Sequence, residues 1–280
     1  MVDSSTALPA ALATRFRVER RLHTGGVADT YLVHDVRDAC ETVLHLLPIF
    51  PNPLATARFV REMGIGIQLL SDPHPNILRV LEAGEADGVP WYVTPLVDGE
   101  WLGDRLRREP PLPLDAALRI THDVARGLAH AHQRYLLHGD LSPRSILLAE
   151  QRAVVADFWV GWWAWLEGQS AATADPGTAT ASPYWSPELV AGGAQRDERS
   201  DLYALGCVAF EMLAGRLPAA APARRRPLPW GGRPQALRNL RPDVSRAVAA
   251  AVERAMAPEP ADRFPTALAF LEALGPAPTP

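Results

Sequence analysis

The sequence predicts an α+β chain of two lobes, the smaller built mainly of antiparallel strands and the larger mainly of helices. Three observations predict it. Short β-prone runs crowd the first third, apolar residues recur at helical spacing after Gly99, and the change falls at one joint near residues 95–100. Such a joint implies a cleft between the lobes, the kind of place where ligands usually bind. With 280 residues, 48% apolar and 21% charged, the chain can bury a sizeable core and does not have the composition of a disordered polypeptide.

The elements follow in order along the chain. Residues 1–14 are small and rich in Ala and Pro, and read as a loose lead-in. Phe16–Leu22 alternates, Thr30–Val33 is short and β-prone, and Thr42–Leu47 is apolar, so each is expected to be a strand. Ala55–Leu70 reads as the one helix of this region. Leu78–Glu82 and Trp91–Val97 are expected as strands on either side of the turn-rich stretch Gly84–Pro90. Beyond Gly99, the spacing of Leu114, Leu118, Val124, Leu128 and Ala131 predicts a single helix over residues 113–136 with a buried stripe. Ile146–Leu148 and Val154–Phe158 read as a small hairpin, and residues 168–183 as a mobile Gly/Ala/Thr/Ser-rich loop. Leu202–Leu213 is a second buried helix, and Arg216–Arg241 is rich in Pro and Arg and irregular. Val244–Ala257 and Pro265–Leu274 close the fold as helices, and the prolines of residues 275–280 stop any continuation.

Charge and composition exclude several classes of function. A net charge of −4 and a pI near 6.1 give no basic surface for nucleic acid or an anionic membrane. No basic segment followed by an apolar stretch opens the chain, and no window is long and apolar enough to cross a membrane, so a cytoplasmic protein is expected. Cys40 and Cys207 lie far apart, with neither metal-ligand spacing nor a disulfide framework, and are expected to be free thiols. All 28 basic residues are arginine.

Five motifs carry the functional reading. The longest is His138-Gly139-Asp140-Leu141-Ser142-Pro143-Arg144-Ser145-Ile146-Leu147-Leu148. Asp157-Phe158-Trp159 and Ser186-Pro187-Glu188 follow, then the runs Arg199–Gly215 and Pro260–Leu274. In this order and at these distances they resemble the bacterial eukaryotic-like Ser/Thr protein kinase family across about residues 15–274. The resemblance implies a bilobal kinase fold. Its N-lobe would span residues 15–97 and carry one αC helix, and its C-lobe would span residues 98–274. It also implies ATP and Mg2+ as cofactors and a protein as substrate or partner.

Carried over residue by residue, the resemblance makes Asp140 the base that orients the acceptor hydroxyl, Asp157 the primary magnesium ligand and Glu62 the glutamate of αC. Leu22, Gly25, Val43, His45, Pro95, Val97 and Leu147 would line the nucleotide, with Ser145 beside the second metal. Glu188 and Arg263 match a buried ion pair, Asp201 a brace under the catalytic loop, and His138 and Phe158 a packed spine.

The departures from the family pattern concentrate where phosphate is handled. His23 and Ala28 replace two glycines of the phosphate loop, Thr30 replaces its covering valine, and Asp29 adds negative charge; the Gly25-Gly26 pair equally suits a plain turn. His45 stands in place of the β3 lysine, and a chain without lysine has no spare to supply it. Glu62 is expected either to pair with His45 and raise its pKa or to be a solvated helix residue. Val43 replaces a small alanine, and Gly66 a bulky spine residue. Ser142 replaces the loop lysine, Ser145 the asparagine that holds the second metal, and Gly139 the arginine that reads a phosphorylated activation loop. Asp140 could also serve only to cap backbone amides. Trp159 replaces a glycine and leads into Trp162, Trp163 and Trp165, which either pack into the core or form a partner-binding patch. Scaffold residues remain while the cationic clamps are gone. The expectation is a catalytically impaired pseudokinase, with weak or absent binding of ATP and Mg2+, that engages a protein partner. The alternative is an active Ser/Thr kinase of altered geometry.

Overall fold

The computed structural model describes residues 8–23, 28–50, 53–150, 152–158, 182–191, 197–218 and 236–278. The described residues fall into two compact units. One takes in residues up to Pro73 together with Leu78–Asp98; the other takes in His74–Ile77, the chain from Gly99 to Phe158, and the chain from Ser182 onward.

The first unit is a five-stranded antiparallel sheet with one long helix. Its strands are β1 (Phe16–His23), β2 (Asp29–Asp35), β3 (Cys40–Leu46), β4 (Glu82–Ala86) and β5 (Val89–Pro95), in the order β1-β2-β3-β5-β4. Register explains which side chains enter the core. Tyr31 and Val33 alternate along β2, and Leu44 of β3 pairs with both Tyr31 and Val93. With Phe16, Leu12, Ala86 and Trp91 these residues form one apolar cluster. The edge of the Phe16 ring meets Trp91 at 6.1 Å between centroids. Helix α2 (Pro53–Leu69) buries Phe59 and Met63, four residues apart on one face.

Three sequence expectations change here. The strand expected over Leu78–Glu82 begins only at Glu82 and runs on to Ala86. The lead-in contains a helical turn, α1 (Ala10–Ala13), because Leu12 has an apolar cluster to enter and the N–H of Ala10 donates to Asp87. The stretch Gly84–Pro90 is mostly strand, and only Asp87-Gly88 turns. Gly84 sits opposite Trp91 in the ladder because the indole lies over it; a Cβ there would come within 2.7 Å of the ring. The glycine that reads as a turn signal is in fact making room for an aromatic neighbour.

The second unit contains α3 (Leu102–Arg108), α4 (Leu114–His132), α5 (Pro187–Val190), α6 (Glu198–Ala214), α7 (Leu237–Leu240), α8 (Arg246–Ala255) and α9 (Ala267–Leu274). It also has a small antiparallel sheet of β6 (Glu100–Trp101), β7 (Ile146–Ala149) and β8 (Arg152–Val155). The stripe on α4 is real, but it runs along Ala117, Thr121, Val124, Leu128 and Ala131; Leu114 and Leu118 are only half-buried. Helix α6 is buried nearly all round, as an apolar helix at the centre of a helical unit must be. Its Asp197 side chain caps the first turn by accepting the N–H of Arg199. The second hairpin strand ends at Val155, three residues earlier than the apolar run suggests, because Asp157 turns the chain at φ 59°. No helix among the described residues is long and apolar enough to cross a membrane, and both cysteines are free.

Candidate active site

The functional positions lie in both units, and each unit arranges its own. In the first, β3 carries Val43 and His45 at alternate positions, both buried. His45 is opposite Thr30 in β2 and Tyr92 in β5. Its Nε2 lies 3.1 Å from Oγ1 of Thr94, and its ring stacks on Tyr92 at 4.2 Å with an interplanar angle of 5°. Only 7% of the residue is exposed. Burial pushes its pKa down to about 3, so the imidazole is uncharged at neutral pH.

The expected partnership between Glu62 and His45 does not form. Glu62 faces solvent on α2 and pairs with its neighbour Arg61 over 3.3 Å. The residue is therefore nearer the solvated reading, and the shift on His45 runs opposite to the rise that such a pair would cause. Asp29 is matched locally by Arg21, at 2.9 Å across β1 and β2. Leu22 is exposed near the end of β1, Pro95 ends β5 half-buried, and Val97 follows it half-buried. Gly66 is buried in α2. Gly25 and Gly26 lie outside the described residues, as do Trp159, Trp162, Trp163, Trp165 and residues 168–181.

In the second unit a hydrogen-bonded frame builds the loop from His138 to Ser145. Asp201 of α6, buried, accepts the backbone N–H of His138 at 2.8 Å and that of Gly139 at 2.9 Å, with His132 Nε2 at 2.9 Å from the same carboxylate. Burial works to raise the Asp201 pKa, yet His132 and these donors hold it below the usual carboxylate range. His138 Nδ1 accepts the N–H of Asp140, which leaves Nε2–H to donate to the carbonyl of Ala156 at 2.9 Å. Burial lowers the pKa of His138, in keeping with a neutral ring. That ring packs on Phe158 at 4.9 Å between centroids.

Ser142 and Ser145 close a reciprocal capping box around a 3-10 turn that starts with Pro143. Ser145 Oγ accepts the N–H of Ser142 at 3.1 Å and donates to the Ser142 carbonyl at 3.0 Å. The backbone of Ser145 then accepts the N–H of Ala156 at 2.8 Å, which brings Asp157 beside Ser145. Leu147 is buried in β7, opposite Trp101 and Val154. Asp140 Oδ1 accepts the indole N–H of Trp185 over 2.7 Å.

The expected anchor is present. Arg263, with only 1% of its surface exposed, directs its guanidinium at Glu188 over 2.7 and 2.8 Å and at the carbonyls of Ala257, Pro258 and Arg199. All five of its N–H donors are used. Burial raises and Arg263 more than offsets it, so the Glu188 carboxylate lies below its ordinary pKa.

Among the described residues, the donors depart from the set that the resemblance implies for a triphosphate with two metals. At the position that calls for a cation there is a buried neutral imidazole already bonded to Thr94. At the position that calls for a second metal ligand there is a hydroxyl that closes a backbone cap. Sequence reasoning found the substitutions but missed the capping box, for which the Ser142–Ser145 spacing was a usable signal. It also missed His132 and Trp185, whose partners lie 69 and 45 residues away along the chain.

Comparison with known proteins adds an independent finding. The sequence matches the Protein kinase domain family over residues 16–263. It is similar to serine/threonine-protein kinase PknJ of Mycobacterium tuberculosis, 31% identical over 269 residues that cover 92% of this chain and 44% of that protein. It is also similar to PknF of the same organism, 32% identical over 271 residues covering 93% and 56%. PknB of Mycobacterium leprae is 29% identical over 275 residues covering 92% and 42%. The chain spans about half the length of these curated relatives.

Proposed function

The chain belongs to the protein kinase family, and from that premise we propose that it is a catalytically impaired member whose work is to bind and regulate a protein partner. Residues 15–274 would form one kinase domain, acting in the cytoplasm. The observation that carries this reading is His45: buried, neutral, stacked on Tyr92 and bonded to Thr94. Phosphoryl transfer asks a protein mainly for placement and positive counter-charge, and an uncharged imidazole supplies neither to a triphosphate. Glu62, facing solvent beside Arg61, does not organise it. ATP and Mg2+ are what the family uses; here their binding would be weak or absent.

A second reading, an active Ser/Thr kinase, is supported by one arrangement. Asp140 lies on a loop braced by Asp201, and Asp157, after β8, turns the chain at φ 59° with Phe158 packed on His138. Strained backbone of that kind persists where the surroundings enforce it.

Incubation with radiolabelled ATP and Mg2+ separates the two readings when the chain is compared with Asp140→Asn and Asp157→Asn. Equal background incorporation in all three is the expected result. Incorporation that both substitutions abolish would establish an active kinase. A thermal-shift titration with ATP, with and without Mg2+, tests nucleotide binding directly, and little or no shift is expected.

A further inference from the structure

Asp140 raises a question that the loss of cations does not answer: why a carboxylate suited to orienting an acceptor hydroxyl should remain where transfer is impaired. We propose that Trp185 is a positioning residue that acts through Asp140, its indole N–H standing where a substrate hydroxyl would donate and committing the carboxylate to the chain's own activation segment. This rests on the reading of impaired transfer for its sense, but not for its geometry.

The indole nitrogen lies 2.7 Å from Oδ1 of Asp140, within the range of a charge-assisted hydrogen bond and of a donor presented to a general base. Tryptophan can only donate, and a carboxylate accepts, so the direction of the bond is fixed. The segment bearing Trp185 is pinned on both sides. The hydroxyl of Tyr184 donates to Glu211 of α6 over 2.6 Å, and Glu188 is held by Arg263 at 2.7 Å. Asp140 is held as firmly, with its N–H on His138 and its loop on Asp201. Two rigid frames therefore meet through one indole, and Asp140 joins the catalytic loop to the end of the activation segment.

The test is the indole 15N–1H spectrum of the whole chain. Trp185→Phe removes one cross-peak and so assigns it. In the unmodified chain that peak is expected downfield and slow to exchange with solvent. Asp140→Ala should move it to the position of a free indole, and Asp140→Asn, which keeps an acceptor oxygen, should largely restore it. A peak indifferent to Asp140→Ala would overturn the proposal, and so would one moved equally by Ala and Asn. Should Asp140→Ala fail to fold, hydrogen exchange at the Trp185 indole of the unmodified chain decides instead: slow exchange upholds the bond and free-indole exchange refutes it. Phosphate transfer by the unmodified chain would defeat the reading of impaired transfer while leaving these peaks unchanged, so the two failures are distinguishable.

Discussion

The N–H of Gly139 donates to Oδ1 of Asp201 over 2.9 Å, and it can do so because Gly139 stands at φ 81°. At that angle a Cβ would crowd the following carbonyl, a conformation glycine adopts without penalty. The resemblance implies an arginine at this place; the glycine here supplies no cation and takes the left-handed angle without strain in the loop that carries Asp140.

Gly139→Ala should therefore lower stability by about 1–2 kcal/mol, the usual cost of a left-handed alanine. Chemical denaturation measures it. No loss would mean that the backbone there relaxes away from the left-handed region and that the bond to Asp201 shifts with it.

Arg263 and Glu188 make a stronger prediction. Arg263→Leu leaves a partly buried carboxylate without its cation and should cost about 3–5 kcal/mol. Arg263→Lys keeps the charge but offers three donors in place of five and no planar fork, so its cost should fall short of that. Equal losses for the two variants would show that the charge matters less than the geometry of the five bonds.

The parts of the fold that were legible in the sequence were those whose signal is local or repeated. The α4 and α6 helices announced themselves through apolar spacing, and Asp201, Glu188 and Arg263 through motifs. What was not legible depended on contacts that no local pattern encodes. Gly84 looked like a turn because nothing in the sequence says that Trp91 lies across the ladder from it. The sequence leaves Glu62 either paired with His45 or solvated; burial in the sheet favours a neutral imidazole beside Thr94, and Glu62, half-exposed, pairs with Arg61 instead. Trp185 meets Asp140 only once the segments on either side of each are anchored.

Ser145 is expected to matter to folding more than to metal. Its hydroxyl bonds twice to the backbone of Ser142. Ser145→Ala leaves the N–H of Ser142 without its partner and should cost about 1 kcal/mol. The loss should be the same with and without Mg2+ in a thermal melt; a penalty that appears only with Mg2+ and nucleotide would instead assign Ser145 to the metal.

His45 sets the last prediction, a dependence of stability on pH. In the folded chain it takes up a proton only near pH 3, whereas in the unfolded chain it does so near 6.5. Between those values the unfolded state holds the extra proton, so stability falls as pH falls through that window and is fully present above it. One group contributes a slope of about 1.4 kcal/mol per pH unit at most. His138, whose pKa burial also lowers, adds a decline of the same sign, so the wild-type curve should be steep. His45→Gln removes the titration but keeps a polar group within reach of Thr94. Its urea midpoints measured from pH 7.5 to 4.5 should decline less steeply than those of the parent chain. Parallel curves would mean that the imidazole reaches solvent and titrates normally, and the neutral, buried side chain on which the functional reading depends would be lost with it.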